Sequence, residues 1–520
     1  MTHNSSIDED PGKMEQRQEL DVEAHNTSEV LEKPPTKRHD EGEQSEESDS
    51  STPESGTVIE KLDWESDEDA GNPRNWPLWK RIMHTAIGAL YGFVITVGTS
   101  VYVPAIPFVM IRFNVEREIA ILPLSLYTLG FTVGPMFAAP LSELYGRRAI
   151  YWTTLPLLLI FTAVSGSSNN ITQLIIGRLL AGACGSGALS VGAGTIADLW
   201  PPKHNGRAAL FFILSPFLGP ALGPLTGAYI IDEYNNNWRY SMWVIMMIAA
   251  PILLSAGFMQ ETSKQRILYL REKARGKKLV HQTGATRLLI RKLRVAVFRP
   301  LHMMLMEPLV ACLSLYTAFA FAMMFSFFGS YSYVFQSVYH FNQKQVGLTF
   351  LGLLAGFICA VSSFAYFDAT LYRKATHKAG GKPAPEHRLY AALVGSFMLP
   401  IGLFWFAWSP RHNVHWIVPV LAGVPFGWGT LSIFLSVTTY LVDVYQAHTS
   451  ASAVAANGIW RYLLGAIFPL FTLQMYEAMG IHWAGSVFAF VGLALTPIPW
   501  IFYFKGHILR AKSVYDTFKG

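Results

Sequence analysis

Cysteine is scarce: the chain has three, Cys184, Cys312 and Cys359, in 520 residues. All three fall inside apolar runs and stand far apart, so neither a disulfide framework nor metal-ligand spacing is available. HExxH and GxSxG are missing, and none of the Gly-Lys dipeptides at 12–13, 276–277 and 381–382 is followed by Ser or Thr. Zinc-protease, serine-hydrolase and Walker-type phosphate chemistry are therefore not expected, and ATP is not expected as a direct energy source. No enzyme activity, metal, cofactor or nucleic-acid partner is expected. Charge is also sparse, at 15% of residues, and no apolar run precedes Arg81. A cleavable signal peptide is accordingly not expected.

What the chain has instead is apolar length. Hydrophobic residues make up 51% and aromatic residues 13%, and mean hydropathy is +0.27. Apolar runs fall near 82–106, 119–142, 149–166, 171–197, 207–231, 239–259, 303–335, 345–370, 388–408, 414–440, 449–474 and 483–504. Most reach the roughly 20 residues that a membrane-crossing helix needs. The expected fold class is an all-α integral membrane protein with 12 transmembrane helices and both termini on one side. With the termini cytoplasmic, inner loops hold 21 Lys and Arg against five outside, twelve of the 21 lying between 260 and 300. The positive-inside rule favours that orientation.

Charge also divides the chain. Residues 1–79 carry 22 Asp and Glu against 7 Lys and Arg, a Ser-rich acidic composition that reads as a disordered cytoplasmic tail, either solvated or a site of phosphorylation or sorting. The expected order continues with a six-helix bundle over 80–259, a basic loop over 260–300 suited to an anionic inner leaflet, a second bundle over 301–508 and a cytoplasmic end over 509–520. The fourth run ends IADLW (196–200) and the tenth LVDVY (441–445). The matching place of each in its half suggests parallel repeats with a pathway between them.

The run LGPALGPLTG (218–227) sets Gly219, Gly223 and Gly227, with Ser215, four residues apart, and interrupts them with Pro220 and Pro224. In a soluble helix each proline costs roughly 3 kcal/mol. In a membrane helix the small residues form a face for close helix approach, and the freed carbonyls need a neighbour or a cavity. Shorter small faces are Gly130, Gly134 and Ala138, and Gly352 with Gly356.

These residues carry a resemblance. GPALGPLTG resembles the antiporter signature on the fifth helix of major facilitator superfamily exporters. APLSELYGRR (139–148) is similar to that superfamily's signature between helices two and three, with Ala139 in place of the usual Gly, and GRLLAGACGSG (177–187) to its fourth-helix signature. GNPRNWPLWK (71–80), NWRY (237–240), FRPLHMMLMEP (298–308), PEHRL (385–389), YLVDVY with SASAVAAN and Arg461, and FPLF (468–471) are similar in order and spacing to the fungal twelve-helix drug:proton antiporters. That group includes multidrug, cycloheximide and polyamine exporters. The resemblance implies the major facilitator fold in two six-helix halves and a proton gradient as energy source. It also implies a plasma-membrane location.

Charged groups inside a bilayer need a reason. Glu307, about a turn into the seventh run, is the first candidate for proton coupling, because burial disfavours a charged carboxylate; a structural bond at the helix end is the other reading. Arg178 is expected to bias a nearby acid or to hold fourth-helix carbonyls, and the resemblance implies a part in coupling; Asp198 is the next proton candidate. Glu143, Gly146, Arg147 and Arg148, with Asp198 and Asp443, are expected to form gates at the cytoplasmic ends. Nine aromatics between 316 and 335 suit an amphipathic or cationic ligand. Phe325 and Tyr331 among them, with Tyr91, Tyr127, Gln336 and Asn457, are the candidate substrate contacts.

The expected function is proton-coupled export of amphipathic small molecules such as drugs, fungicides, toxins or endogenous secondary metabolites, by a monomer that needs only substrate, protons and the bilayer. A polyamine exporter, an importer of a polar nutrient and a non-transporting sensor are the alternatives. Asn170 opens a sequon, NIT, close to the bilayer.

Overall fold

The computed structural model describes residues 57–58, 62–276, 279–280, 285–381, 383–445, 447–515 and 517–518. The acidic segment before residue 57 lies outside the described residues, as does the expectation of disorder placed on it. Ten helical segments are long and apolar enough to cross a membrane. They are Leu78–Phe113, Arg117–Tyr145, Arg147–Gly166, Ile171–Leu199, Ala208–Glu233, Pro308–Tyr339, Gln343–Lys378, Pro385–Trp408, Ile417–Val444 and Thr449–Ala511. The last holds two passes, divided at Gly480, whose φ of 77° breaks the helix. With the shorter apolar helix Tyr240–Ala256 the passes number twelve among the described residues. They are called here the first to twelfth spans.

Local chemistry sets the ends. Asn114 closes the first span in the left-handed region at φ 50°. Asn170 opens the fourth by accepting a hydrogen bond from the Gln173 N–H at 2.7 Å, so the sequon's side chain serves as a helix cap. Asn342 and Gln345 form a reciprocal capping box at the start of the eighth. The seventh span begins later than expected. Glu307 takes an extended conformation (φ −101°, ψ 100°) as the residue before Pro308. An amphipathic helix, Ala285–Met306, precedes it. The residues near 303–306 belong to that helix, so Glu307 caps the seventh span and does not lie a turn inside it.

Packing repeats between the two groups of six. The first span lies against the fifth, the second against the fourth and the third against the fourth and sixth; the seventh lies against the eleventh, the eighth against the tenth, and the ninth against the tenth. The groups meet where the second span touches the eleventh and the fifth touches the eighth. Small residues set these approaches. A Cβ at Gly219 would stand 2.6 Å from the Val97 nitrogen, and one at Gly223 2.9 Å from the Val101 nitrogen. The Ser100 hydroxyl donates to the Gly219 carbonyl at 2.9 Å, and Ser215 donates to the Ala89 carbonyl at 2.5 Å. The face read from LGPALGPLTG is thus fitted to the first span. Its helix, Pro202–Glu233, runs without interruption through Pro216, Pro220 and Pro224. Gly130 and Gly134 fit the fourth span, and Gly352 and Gly356 the tenth.

From Leu62 the chain before the first span is folded, unlike the solvated tail expected up to residue 79. Asp63 and Asp69 pair with Lys264 and Arg271 of a connecting helix, Lys264–Ala274, at 2.5 and 2.6 Å, and Glu65 pairs with Arg275. Part of the basic loop is thereby neutralised by the chain itself. The Arg271 guanidinium, followed by the Gly71 N–H, holds the Asp69 carboxyl well below the usual carboxylate range. The pairing is present above the ordinary carboxylate range and is lost only as pH falls through that lowered value.

Overpacking a close helix contact costs about 1–3 kcal/mol. Gly219→Val is therefore expected to lower the thermal midpoint by several degrees in detergent, read by size-exclusion chromatography after heating. Gly329→Ala, where a Cβ meets nothing within 4 Å, is expected to leave it unchanged.

Candidate functional site

The described parts of both chain ends, among them residues 62–77, 512–515 and 517–518, lie on one side of the spans, here the terminal face. The opposite side is the distal face. On the terminal face a loop and two helix ends build a charged cluster. Gly146 turns the chain at φ 97°, in the region that favours glycine. That turn presents the Arg147 and Arg148 N–H groups to Glu261, at 2.8 and 3.2 Å. Arg147 then reaches Asp198 through Nε at 3.2 Å and donates to the Ser142 hydroxyl at 2.5 Å. Glu143 pairs with neither arginine. Its partner is Lys292 on the amphipathic helix, at 2.6 Å.

The second group repeats this arrangement. Arg388, at the start of the ninth span, binds Asp443 through Nε at 2.7 Å and Asp368 through Nη1 at 3.1 Å. Arg147–Asp198 and Arg388–Asp443 occupy the same ordinal places, as the IADLW and LVDVY match anticipates. Both pairs tie helices within one group, so Asp198 and Asp443 do not join the two groups in this structure.

Among the described residues, polar side-chain ties between spans of the two groups lie on the distal face. Gln474 of the eleventh span donates to Glu118 of the second at 2.6 Å, and Lys344 of the eighth pairs with Asp232 of the fifth. Sequence reasoning passed over these residues and Glu261, because each partner is remote in the chain.

Glu307 is 1% exposed and anchors the end of the chain. Its carboxylate accepts from the Val514 and Tyr515 N–H groups at 2.8 and 3.1 Å, from the Ser513 hydroxyl at 3.0 Å and from the Tyr445 hydroxyl at 3.3 Å. Beside it the Phe518 N–H donates to the Val444 carbonyl at 2.8 Å. Burial, and next the Glu307 charge, push the Tyr445 hydroxyl up from its ordinary pKa.

Of the buried charged residues that are described, Arg178 and Arg461 alone stand within the membrane helices away from their ends. Arg178 is 0% exposed. It donates through Nη2 to the Gly98 carbonyl at 2.6 Å and lies 4.0 Å over the Tyr127 ring. It thus holds a first-helix carbonyl, where an acid or a fourth-helix carbonyl was expected. Arg461 lies over Phe434, Tyr462 and Phe321, at 4.4, 5.0 and 5.4 Å.

The candidate substrate residues separate. Tyr91 shares a 2.8 Å hydrogen bond with Thr154 inside the first group. Asn457 donates to Thr317 at 2.6 Å inside the second, and Tyr331 stacks on Phe327 there. Gln336 is exposed. Tyr127 and Phe325 do lie on one path, of ring contacts that crosses between the groups: Tyr127 to Phe131 at 5.3 Å, Phe131 to Tyr462 at 5.4 Å, Tyr462 to Phe321 at 5.8 Å and Phe321 to Phe325 at 4.8 Å. Phe131, Tyr462 and Phe321 were not singled out as contacts from sequence. Arg461, a charge deep in an apolar run, is the signal in the sequence that could have found them.

A family profile described as Major Facilitator Superfamily matches residues 88–469. The chain is 38% identical over 482 residues to Polyamine transporter 4 of Saccharomyces cerevisiae, covering 87% of this chain and 72% of that one. It is 35% identical over 455 residues to Efflux pump FUBT of Fusarium oxysporum, with 86% and 76% covered. To the Major facilitator superfamily multidrug transporter mdrA of Aspergillus fumigatus it is 37% identical over 461 residues, with 86% and 75% covered. A solved D-xylose-proton symporter matches at a TM-score of 0.60 with 16% identity, over 81% of this chain and 97% of that one. That likeness concerns the fold.

Removing the Glu307 carboxylate frees two backbone N–H groups. In Glu307→Ala the amides of Val514 and Tyr515 are expected to exchange hydrogen at least about tenfold faster, with the exchange of the distal helix ends unchanged, measured by mass spectrometry of the C-terminal peptide.

Proposed function

The chain belongs to the Major Facilitator Superfamily, and from that premise we propose that it exports amphipathic small molecules in exchange for protons by alternating access. It is a multi-pass membrane protein of a transporter family. The observation that carries the reading is the aromatic path across the boundary between two groups whose spans share described polar side-chain ties on the distal face. A cargo entering from the terminal face meets ring surface between the groups. Breaking the distal ties, while the terminal pairs hold each group rigid, opens the opposite mouth. The names of two relatives, an efflux pump and a multidrug transporter, support export.

The proton partner in this reading is Asp198. Protonation removes the charge that holds Arg147 and loosens the loop at Gly146, whereas Glu307 is committed to holding the chain end. Arg178, buried beside Tyr127, fixes the first span against the fourth during the cycle. The energy source is the proton gradient, the working unit a monomer, and the location the plasma membrane with both termini cytoplasmic. Polyamine export, which the name of one relative suggests, is the second reading. Among the described residues no carboxylate faces Arg178 or Arg461 beside the aromatic path, which speaks against it.

Efflux of fluorescent amphipaths of differing charge from a pump-deficient yeast expressing the chain tests this. A protonophore is expected to abolish efflux, and Asp198→Asn to reduce it at least tenfold at equal surface amount, while Glu307→Gln keeps its gradient dependence. Efflux that persists without a gradient counts against antiport. In a variant without its native cysteines, Glu118→Ala with Lys344→Ala is expected to raise several-fold the labelling of Tyr462→Cys by an impermeant maleimide added from the distal face. Unchanged labelling removes those ties from the gate.

A further inference from the structure

Two fixed positive charges stand in the interior of the helix bundle, and no described carboxylate faces either. The titratable side chains that act on Arg178 are Tyr127 and Tyr102, and on Arg461 it is Tyr462. Every Asp and Glu of the twelve spans falls toward a helix end. Arg461 is 8% exposed, and its Nε has no acceptor; Arg178 is 0% exposed, and its Nε and Nη1 have none. A guanidinium keeps its proton even when buried, so these charges persist. Three ring faces lie against Arg461. They attract the cation through their quadrupoles and leave the in-plane N–H groups without an anion.

A carboxylate supplies what is missing, since its two oxygens match the guanidinium fork in charge and spacing. The rings that join the two arginines, Tyr127, Phe131 and Tyr462, offer stacking area to a flat apolar body attached to it. A cationic cargo in the same place meets like charge with no acid to offset it. On the reading of the chain as an exporter, we infer that its central site selects amphipathic carboxylates, small aromatic acids in their ionised form, with Arg461 as the anion-binding residue, and that it discriminates against polycations.

The test compares two probes with one ring system, 2-naphthoate and 2-naphthylmethylammonium, by titration calorimetry near neutral pH. The full chain is held in phosphatidylcholine nanodiscs, so that no anionic lipid headgroup competes. Naphthoate is expected to bind at least tenfold more tightly than the ammonium probe. Arg461→Gln should weaken naphthoate about tenfold or more, as expected for loss of a charge-assisted pair, without weakening the ammonium probe. Arg461→Lys, which keeps the charge and the packing stem, should recover part of the loss. Equal or tighter binding of the ammonium probe overturns the inference, as does naphthoate binding that is absent or indifferent to Arg461→Gln. Selective naphthoate binding without proton-driven naphthoate transport in liposomes would leave this inference standing and remove the antiport reading. Proton-driven transport of cations with no naphthoate binding does the reverse.

Discussion

Close contact between helix backbones is the constraint on which the rest of this structure depends. In hydrocarbon each span satisfies its own peptide groups, and burial of apolar surface gives no preference for protein over lipid, so contact geometry decides which helices adhere. Gly219 and Gly223 let the fifth span meet the first almost backbone to backbone, and Gly130 and Gly134 do the same for the second and fourth. Because these contacts lie inside each group, each group is held rigid. The boundary between the groups combines rings and a few polar ties with one close backbone approach, at Gly347 of the eighth span beside Leu225 of the fifth.

The terminal face shows the same division of labour in electrostatic form. Arg147 with Asp198, and Arg388 with Asp443 and Asp368, pin the loops of each group to that group's own helices. Lys292 on the amphipathic helix Ala285–Met306 pairs with Glu143 of the second span. The segment before the first span and the segment after the twelfth are both docked, one on Lys264, Arg271 and Arg275 and the other on Glu307. Partly exposed pairs of this kind contribute modestly one at a time, about 0–1 kcal/mol. Their effect here is to set where loops lie, with the rocking of the groups left free.

The centre carries a different balance. Charge deep in a bilayer is expensive and is retained where it works. In the proposed reading the two arginines, which no described carboxylate faces, and the aromatic contacts between them are where cargo chemistry is read. The carboxylates stay near the faces, where water exchanges protons readily. On that reading substrate recognition and proton response fall in separate layers of one bundle.

The sequence by itself determined the membrane class and the twelve passes, because the length of an apolar run is a local property. It also determined the small faces and the paired Asp at equivalent places, since four-residue periodicity and the repeat are written along one dimension. Glu307 was legible as an unusual acid, but its work was not, because the donors at Ser513, Val514 and Tyr515 lie some two hundred residues away. Tyr91, Tyr331 and Asn457 read as pocket residues by type, and only helix rotation turned them into each group's interior. The same rotation placed Phe131, Tyr462 and Phe321 on the crossing path. Tertiary structure alone decided which side chains face the boundary, because a helix hydrophobic on all sides carries no periodic signal for its orientation.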